Sequence, residues 1–183
     1  MKKNITETLV NEHRLILRMI TLLERNASRV AEGNYTNWQF FLDGVDFIRN
    51  YADRFHHAKE EDVLFSALVT NGMPRDNSPV AAMFMEHDQG RAYVAAMENA
   101  VLNTLGGKTG QEDFIAKNAL AYAELLREHI SKEDEILYPL AERVIPDTMR
   151  DAIIEGYAAA EAKTPADFSV RYEAVVAGYE QEQ

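Results

Sequence analysis

Four stretches of this chain repeat apolar residues at the three-and-four spacing of a buried helix face, and each holds one histidine within that face. The first stripe is Leu9, His13, Ile16, Ile20 and Leu23; the second is Phe41, Val45, Ile48, Ala52, His56, Glu60, Val63 and Ala67. The third runs Val80, Met83, His87, Gly90, Val94, Met97 and Val101, and the fourth Ile115, Ala119, Tyr122, Leu126, His129, Glu133, Ile136 and Leu140. No strand-like alternation competes, so the pattern predicts an all-α fold whose helices bury these stripes against one another.

Helix-start signals divide the stripes. Thr36-Asn37-Trp38-Gln39 and Thr109-Gly110-Gln111-Glu112 read as capping boxes, while Ser78-Pro79 and Thr164-Pro165 read as a cap followed by a first-turn proline. They place helices near 5–32, 36–70, 78–104 and 110–143, with shorter ones near 147–162 and 165–181. Short connections at Gly33-Asn34-Tyr35 and Gly106-Gly107 make neighbours antiparallel. The expected architecture is an up-down-up-down four-helix bundle with two additional C-terminal helices. Residues 1–145 form the bundle, and 146–183 form an extension packed on or near it.

Composition narrows the function. With 30 acidic and 19 basic residues the formal charge is −11, which argues against a nucleic-acid partner, since phosphate recognition needs a clustered basic surface. No apolar run approaches the roughly 20 residues of a membrane span, and Lys2 and Lys3 are not followed by a signal-like apolar stretch. A cytoplasmic protein is expected. The absence of cysteine removes disulfides and thiolate chemistry, so any metal sits on nitrogen and oxygen.

One histidine in a core stripe is more often a hydrogen-bonded structural residue than a ligand. Here four of the five histidines lie in the four stripes, and His56 and His129 are each followed four residues later by a glutamate, Glu60 and Glu133. That spacing stacks imidazole and carboxylate on one helix face. A carboxylate buried without a partner is costly, and two metal ions would supply the missing charge. His13 and His56 stand about equally far from the first turn, and His87 and His129 about equally far from the third, so the four reach one level of an antiparallel bundle. The half-site is also duplicated. His56-His57-Ala58-Lys59-Glu60-Glu61-Asp62-Val63-Leu64-Phe65 matches His129-Ile130-Ser131-Lys132-Glu133-Asp134-Glu135-Ile136-Leu137-Tyr138.

With Glu12-His13 on the first helix and Glu86-His87 on the third, this arrangement resembles the hemerythrin-like, or HHE cation-binding, family over residues 5–143. The resemblance implies a diiron centre held by His13, His56, Glu60, His87, His129 and Glu133, with the two glutamates and a solvent-derived oxygen bridging the irons. It implies a small-molecule ligand: oxygen, peroxide or nitric oxide. Zinc or manganese would suit the same imidazoles and carboxylates. Oxygen-carrying members have two histidines four apart on the third helix, where this chain has Met83 and Arg91 flanking His87. Reversible oxygen carriage is therefore not implied, and reaction with or sensing of a redox ligand stands against iron storage or plain metal binding.

Several residues have plainer readings. His57 and Glu61 also stand four apart, but their stripe is polar upstream, which makes them outer partners of the site or surface residues. Tyr122 reads as core, with a place beside bound oxygen as the alternative. The run Glu128 to Glu135 reads as a solvated face apart from His129 and Glu133.

Overall fold

The computed structural model describes residues 2–182, and all regular structure among them is helical. Helix α1 is Glu7–Ala31. Helix α2 covers 38–70 without interruption, but Ile48–His57 and Glu60–Phe65 are wound as π-helix, with hydrogen bonds to the fifth rather than the fourth preceding residue. Helix α3 is Pro79–Leu105. Helix α4 covers 112–144 with a π-turn at Glu133–Leu137. Helices α5 and α6 are Asp147–Glu161 and Phe168–Gln181.

The helix starts follow local chemistry, with corrections to the sequence reading. Ser78 accepts a hydrogen bond from the Ala81 N–H at 3.2 Å and Pro79 opens α3, as expected. Helix α2 is capped by Asn37 rather than Thr36, its side chain accepting from the Phe40 N–H at 3.4 Å. The box at Thr109 does not form, since α4 begins after Gln111 without a side-chain cap. Thr164 does not cap α6. Its hydroxyl donates to the Glu161 carbonyl at 2.7 Å and closes α5 instead, the local alternative open to any hydroxyl residue.

Two apolar clusters lie on either side of the histidine layer. The larger includes Ile16, Leu23, Phe41, Met97, Ile115 and Leu126; the smaller includes Leu9, Leu64, Phe65, Val80, Leu137 and Tyr138. In every one of α1 to α4 the chain passes from one cluster through its histidine into the other.

The π-turns shift which residues reach these clusters. Regular α-spacing after Glu60 and Glu133 predicts Val63 and Ile136 in the core, yet Val63 is half-buried and Ile136 is 58 % exposed. One extra residue per turn carries Leu64 and Phe65, and likewise Leu137 and Tyr138, inward in their place. The same slip occurs in both halves of the repeat.

The C-terminal helices are anchored on this frame. Gly156 of α5 lies so close to α2 that an added Cβ would stand 2.9 Å from Val63 Cγ1, so only glycine fits there. Buried Arg150 donates to the Lys3 carbonyl at 2.6 Å and the Glu142 carboxylate at 2.5 Å, tying α5 to the chain start and to α4. Helix α6 adds Phe168, Tyr172 and Val176 to the larger cluster. No helix among the described residues is long and apolar enough to cross a membrane.

Candidate metal centre

The layer between the clusters gathers all six predicted residues. His13, His56, Glu60, His87, His129 and Glu133 are buried. Their donor atoms fall into two groups that could each hold an ion, one of His13, His56, Glu60 and Glu133, the other of His57, Glu60, His87 and His129.

Outer carboxylates orient each imidazole. His56 donates Nδ1–H to Glu12 at 2.8 Å and His129 to Glu86 at 2.9 Å. His13 donates to Asp134 at 2.9 Å and His87 to Glu61 at 2.7 Å. A carboxylate accepts, so each of these contacts places a proton on Nδ1 and turns Nε2 inward, where it could bind a metal once it has lost any proton of its own. Basic side chains steady the carboxylates: Lys59 pairs with Glu12, Lys132 with Glu86, and Arg91 donates to Glu61 at 2.8 Å. Lys59 itself is fully buried, with Glu161 of α5 as its second partner at 2.8 Å. Asp134 and Lys132, read as a solvated face, are therefore part of the site. They oppose residues on other helices, which spacing along one helix does not reveal.

Inside this ring the geometry calls for cations. His13 and His56 bring Nε2 atoms within 3.0 Å, and so do His87 and His129. Donor atoms about 2.1 Å from one metal and at right angles stand roughly 3 Å apart, so both pairs have the separation of neighbouring ligands. Glu133 spans the pairs, with Oε2 3.4 Å from His13 and Oε1 3.2 Å from His129. Glu60 does likewise through Oε2, 3.7 Å from His56 and 3.6 Å from His87. Glu60 Oε2 and both Glu133 oxygens are buried without a hydrogen-bond partner, and cations between the imidazole pairs would satisfy all three. The residues present fit a pair of metal ions.

Without cations the two carboxylates cannot both ionise comfortably. Burial pushes Glu60 well above the usual carboxylate range, and neighbouring Glu133 adds to the shift. Burial acts the same way on Glu133, but His129 and His13 outweigh it and hold that carboxyl well below the range. One glutamate takes a proton so that the other can stay charged.

The sequence reading left His57 between outer partner and surface and gave Tyr138 no role in the layer. His57 is not a surface residue; it is 7 % exposed because the π-helical stretch Ile48–His57 turns two successive histidines inward. Its relation to the others differs, however. The ring centroids in each close pair are 4.7 Å apart with planes inclined at 61° and 63°, as for imidazoles radiating from one point. His57 instead lies flat on His87, at 3.7 Å and 11°. Tyr138 donates its hydroxyl to Glu60 Oε1 at 2.5 Å and stands 3.4 Å from His13 Nε2. The clue to it was the repeat, which places Phe65 at the matching position.

Uncharacterized proteins of Mycobacterium bovis and Mycobacterium tuberculosis are 21 % identical to this chain over 133 residues, covering 73 % of it and 51 % of each relative. The chain thus spans about half the length of the curated relatives it matches. No solved structure matches it significantly. The profile of the hemerythrin HHE cation binding domain matches residues 4–141, which contain every histidine and both central glutamates, and the chain belongs to that family.

Proposed function

We propose that residues 1–145 form an up-down-up-down bundle in which His13 with His56, and His87 with His129, together with Glu60 and Glu133, would hold two iron ions, with 146–183 as a helical extension. In this reading the pair binds or reacts with a small redox ligand: oxygen, peroxide or nitric oxide. The observation that carries it is the juxtaposition of two imidazole pairs, each with inward Nε2 atoms 3.0 Å apart, and two glutamates of which three oxygens lack partners. The match to a cation-binding family supports the same reading.

Bound iron would supply electrons to the ligand or accept them from it. The protein's own contribution is orientation and exclusion of water. Outer carboxylates fix each imidazole tautomer, Tyr138 fixes the free oxygen of Glu60, and the flanking apolar clusters keep the layer dry. Burial of every ligand favours a resident cofactor over exchangeable storage, since a buffered ion must enter and leave readily.

Metal analysis with optical spectroscopy of the purified protein tests this. Two irons per chain and a ligand-to-iron absorption that responds to reductant and to peroxide are expected. A metal-loaded protein without such absorption would return the reading to a divalent-metal module without redox chemistry.

A further inference from the structure

Beside the His87–His129 pair, α2, α3 and α4 enclose a cavity of about 90 Å³. Its inner wall carries His57, His87 and His129, apolar residues including Ile48, Val94 and Leu126 line much of the rest, and Asp53 and Glu86 add carboxylates that are paired with Arg91 and Lys132. Arg49 and Arg91, about 40 % exposed, stand at its rim. That space suits a molecule of a few atoms and is far below the size of an ordinary organic-substrate pocket.

The repeat shows how the space arises. Superposing Glu12-His13 on Glu86-His87 sets Ile16 opposite Gly90. Ile16 is buried in the larger cluster, whereas Gly90, one turn beyond His87, lines the cavity without a side chain and lets the Tyr122 ring pack against the helix. Glycine inside a helix weakens it, so helix formation does not explain this residue. A Cβ at Gly90 would stand 3.4 Å from Tyr122 Cε2, at the edge of the cavity. Tyr122 also lines the cavity; it is 2 % exposed and its hydroxyl has no hydrogen-bond partner. A buried donor in that state is unfavourable until an acceptor meets it.

We propose that this cavity is the ligand site: it seats a molecule of two or three atoms bearing a hydrogen-bond acceptor beside the His87–His129 metal position, with the Tyr122 hydroxyl as donor and His57 as side wall. The proposal rests on the metal reading above and adds to it which metal position meets the ligand, and past which residues.

Azide is a suitable probe, being a triatomic anion whose binding to the oxidised, iron-loaded protein is followed optically. Metal content, melting temperature and azide affinity are measured for the wild type and for Gly90→Ala, Gly90→Ile, Tyr122→Phe and His57→Ala. All are expected to keep their metal. Gly90→Ile fills the cavity as Ile16 does in the other half and should weaken azide binding at least about tenfold, with Gly90→Ala intermediate; if the isoleucine variant fails to fold, the alanine variant carries the test. Tyr122→Phe should weaken binding by roughly three- to tenfold, the worth of one hydrogen bond, yet melt no lower than wild type because it removes an unsatisfied hydroxyl. Unchanged azide affinity in the folded, metal-loaded Gly90 and Tyr122 variants would overturn the cavity site and leave the metal reading standing. Loss of metal from His57→Ala would make that residue a ligand and overturn its role as a wall. A wild type that binds no metal would remove the metal reading and this proposal with it.

Discussion

The two halves of the site, α1 with α2 and α3 with α4, share a scaffold and differ in what surrounds it. Glu12, His13, His56, Lys59, Glu60 and Glu61 correspond to Glu86, His87, His129, Lys132, Glu133 and Asp134, and each hydrogen bond from an imidazole to an outer carboxylate has its counterpart. The differences are Ile16 against Gly90, Phe65 against Tyr138 and His57 against Ile130. Groups that would balance the charge of two cations are thus duplicated, while groups that shape the space around them are not. Equivalence would serve metal binding, and asymmetry gives the two candidate metal positions different neighbours.

The largest effect should come from breaking the equivalence at the ligands. His56→Ala and His129→Ala are expected to lose metal to the same degree, and both should melt near the metal-free wild type. Metal present at a thousand times its dissociation constant adds about 4 kcal/mol, or roughly 8–16 °C for a chain of this size. Calorimetry with metal analysis checks both points; a large difference between the two variants would mean that the halves are not equivalent.

The outer carboxylates should separate the halves instead. Glu12 holds Lys59, which is completely buried, whereas Glu86 holds Lys132, whose side chain is 37 % exposed. Glu12→Ala leaves a buried ammonium with one partner and should cost about 3–5 kcal/mol, while Glu86→Ala should cost about 1 kcal/mol or less. Equal denaturation midpoints would show that burial does not set the difference. Both variants should bind metal about 10–100-fold more weakly, because each releases an imidazole from its orienting partner.

The pH dependence of the metal-free protein comes next in size. Burial disfavours the charged His13 imidazole, but Asp134 and Glu133 overcome it and raise its pKa to about 9. Glu60 is raised as well, by burial and by Glu133. Groups with raised pKa values bind more protons folded than unfolded, so their stabilisation is present at low pH and is lost as pH rises. For His13 that window runs from about 6.5 to about 9. The metal-free protein should therefore melt at progressively lower temperature across this range, and the gap between metal-loaded and metal-free forms should widen. A metal-free melting temperature that climbs from pH 6.5 to 9 would contradict the assignment.

The last test concerns the tyrosine, where stability should change and metal content should not. Tyr138→Phe makes the second half match Phe65 in the first and removes one hydrogen bond to Glu60, at a cost of about 1–3 kcal/mol. It should retain both metals. A variant that loses metal would give the hydroxyl a larger part than steadying Glu60.

The sequence by itself determined the helices, the histidine in each stripe and the two His-x-x-x-Glu half-sites, because apolar periodicity and capping act over a few residues. It also contained the duplication, and with it the correspondence of Lys59 with Lys132 and Glu61 with Asp134. Tertiary structure decided the rest for two physical reasons. Regular spacing assumes α-helical hydrogen bonding, so π-turns at Glu60–Phe65 and Glu133–Leu137 displaced Val63 and Ile136 in favour of Leu64, Phe65, Leu137 and Tyr138, and the π-helix before them turned His57 inward. The other reason is distance along the chain. Asp134 meets His13 across 121 residues and Tyr138 meets Glu60 across 78, pairings that no local pattern encodes and that exist only once four helices bring their ligands to one layer.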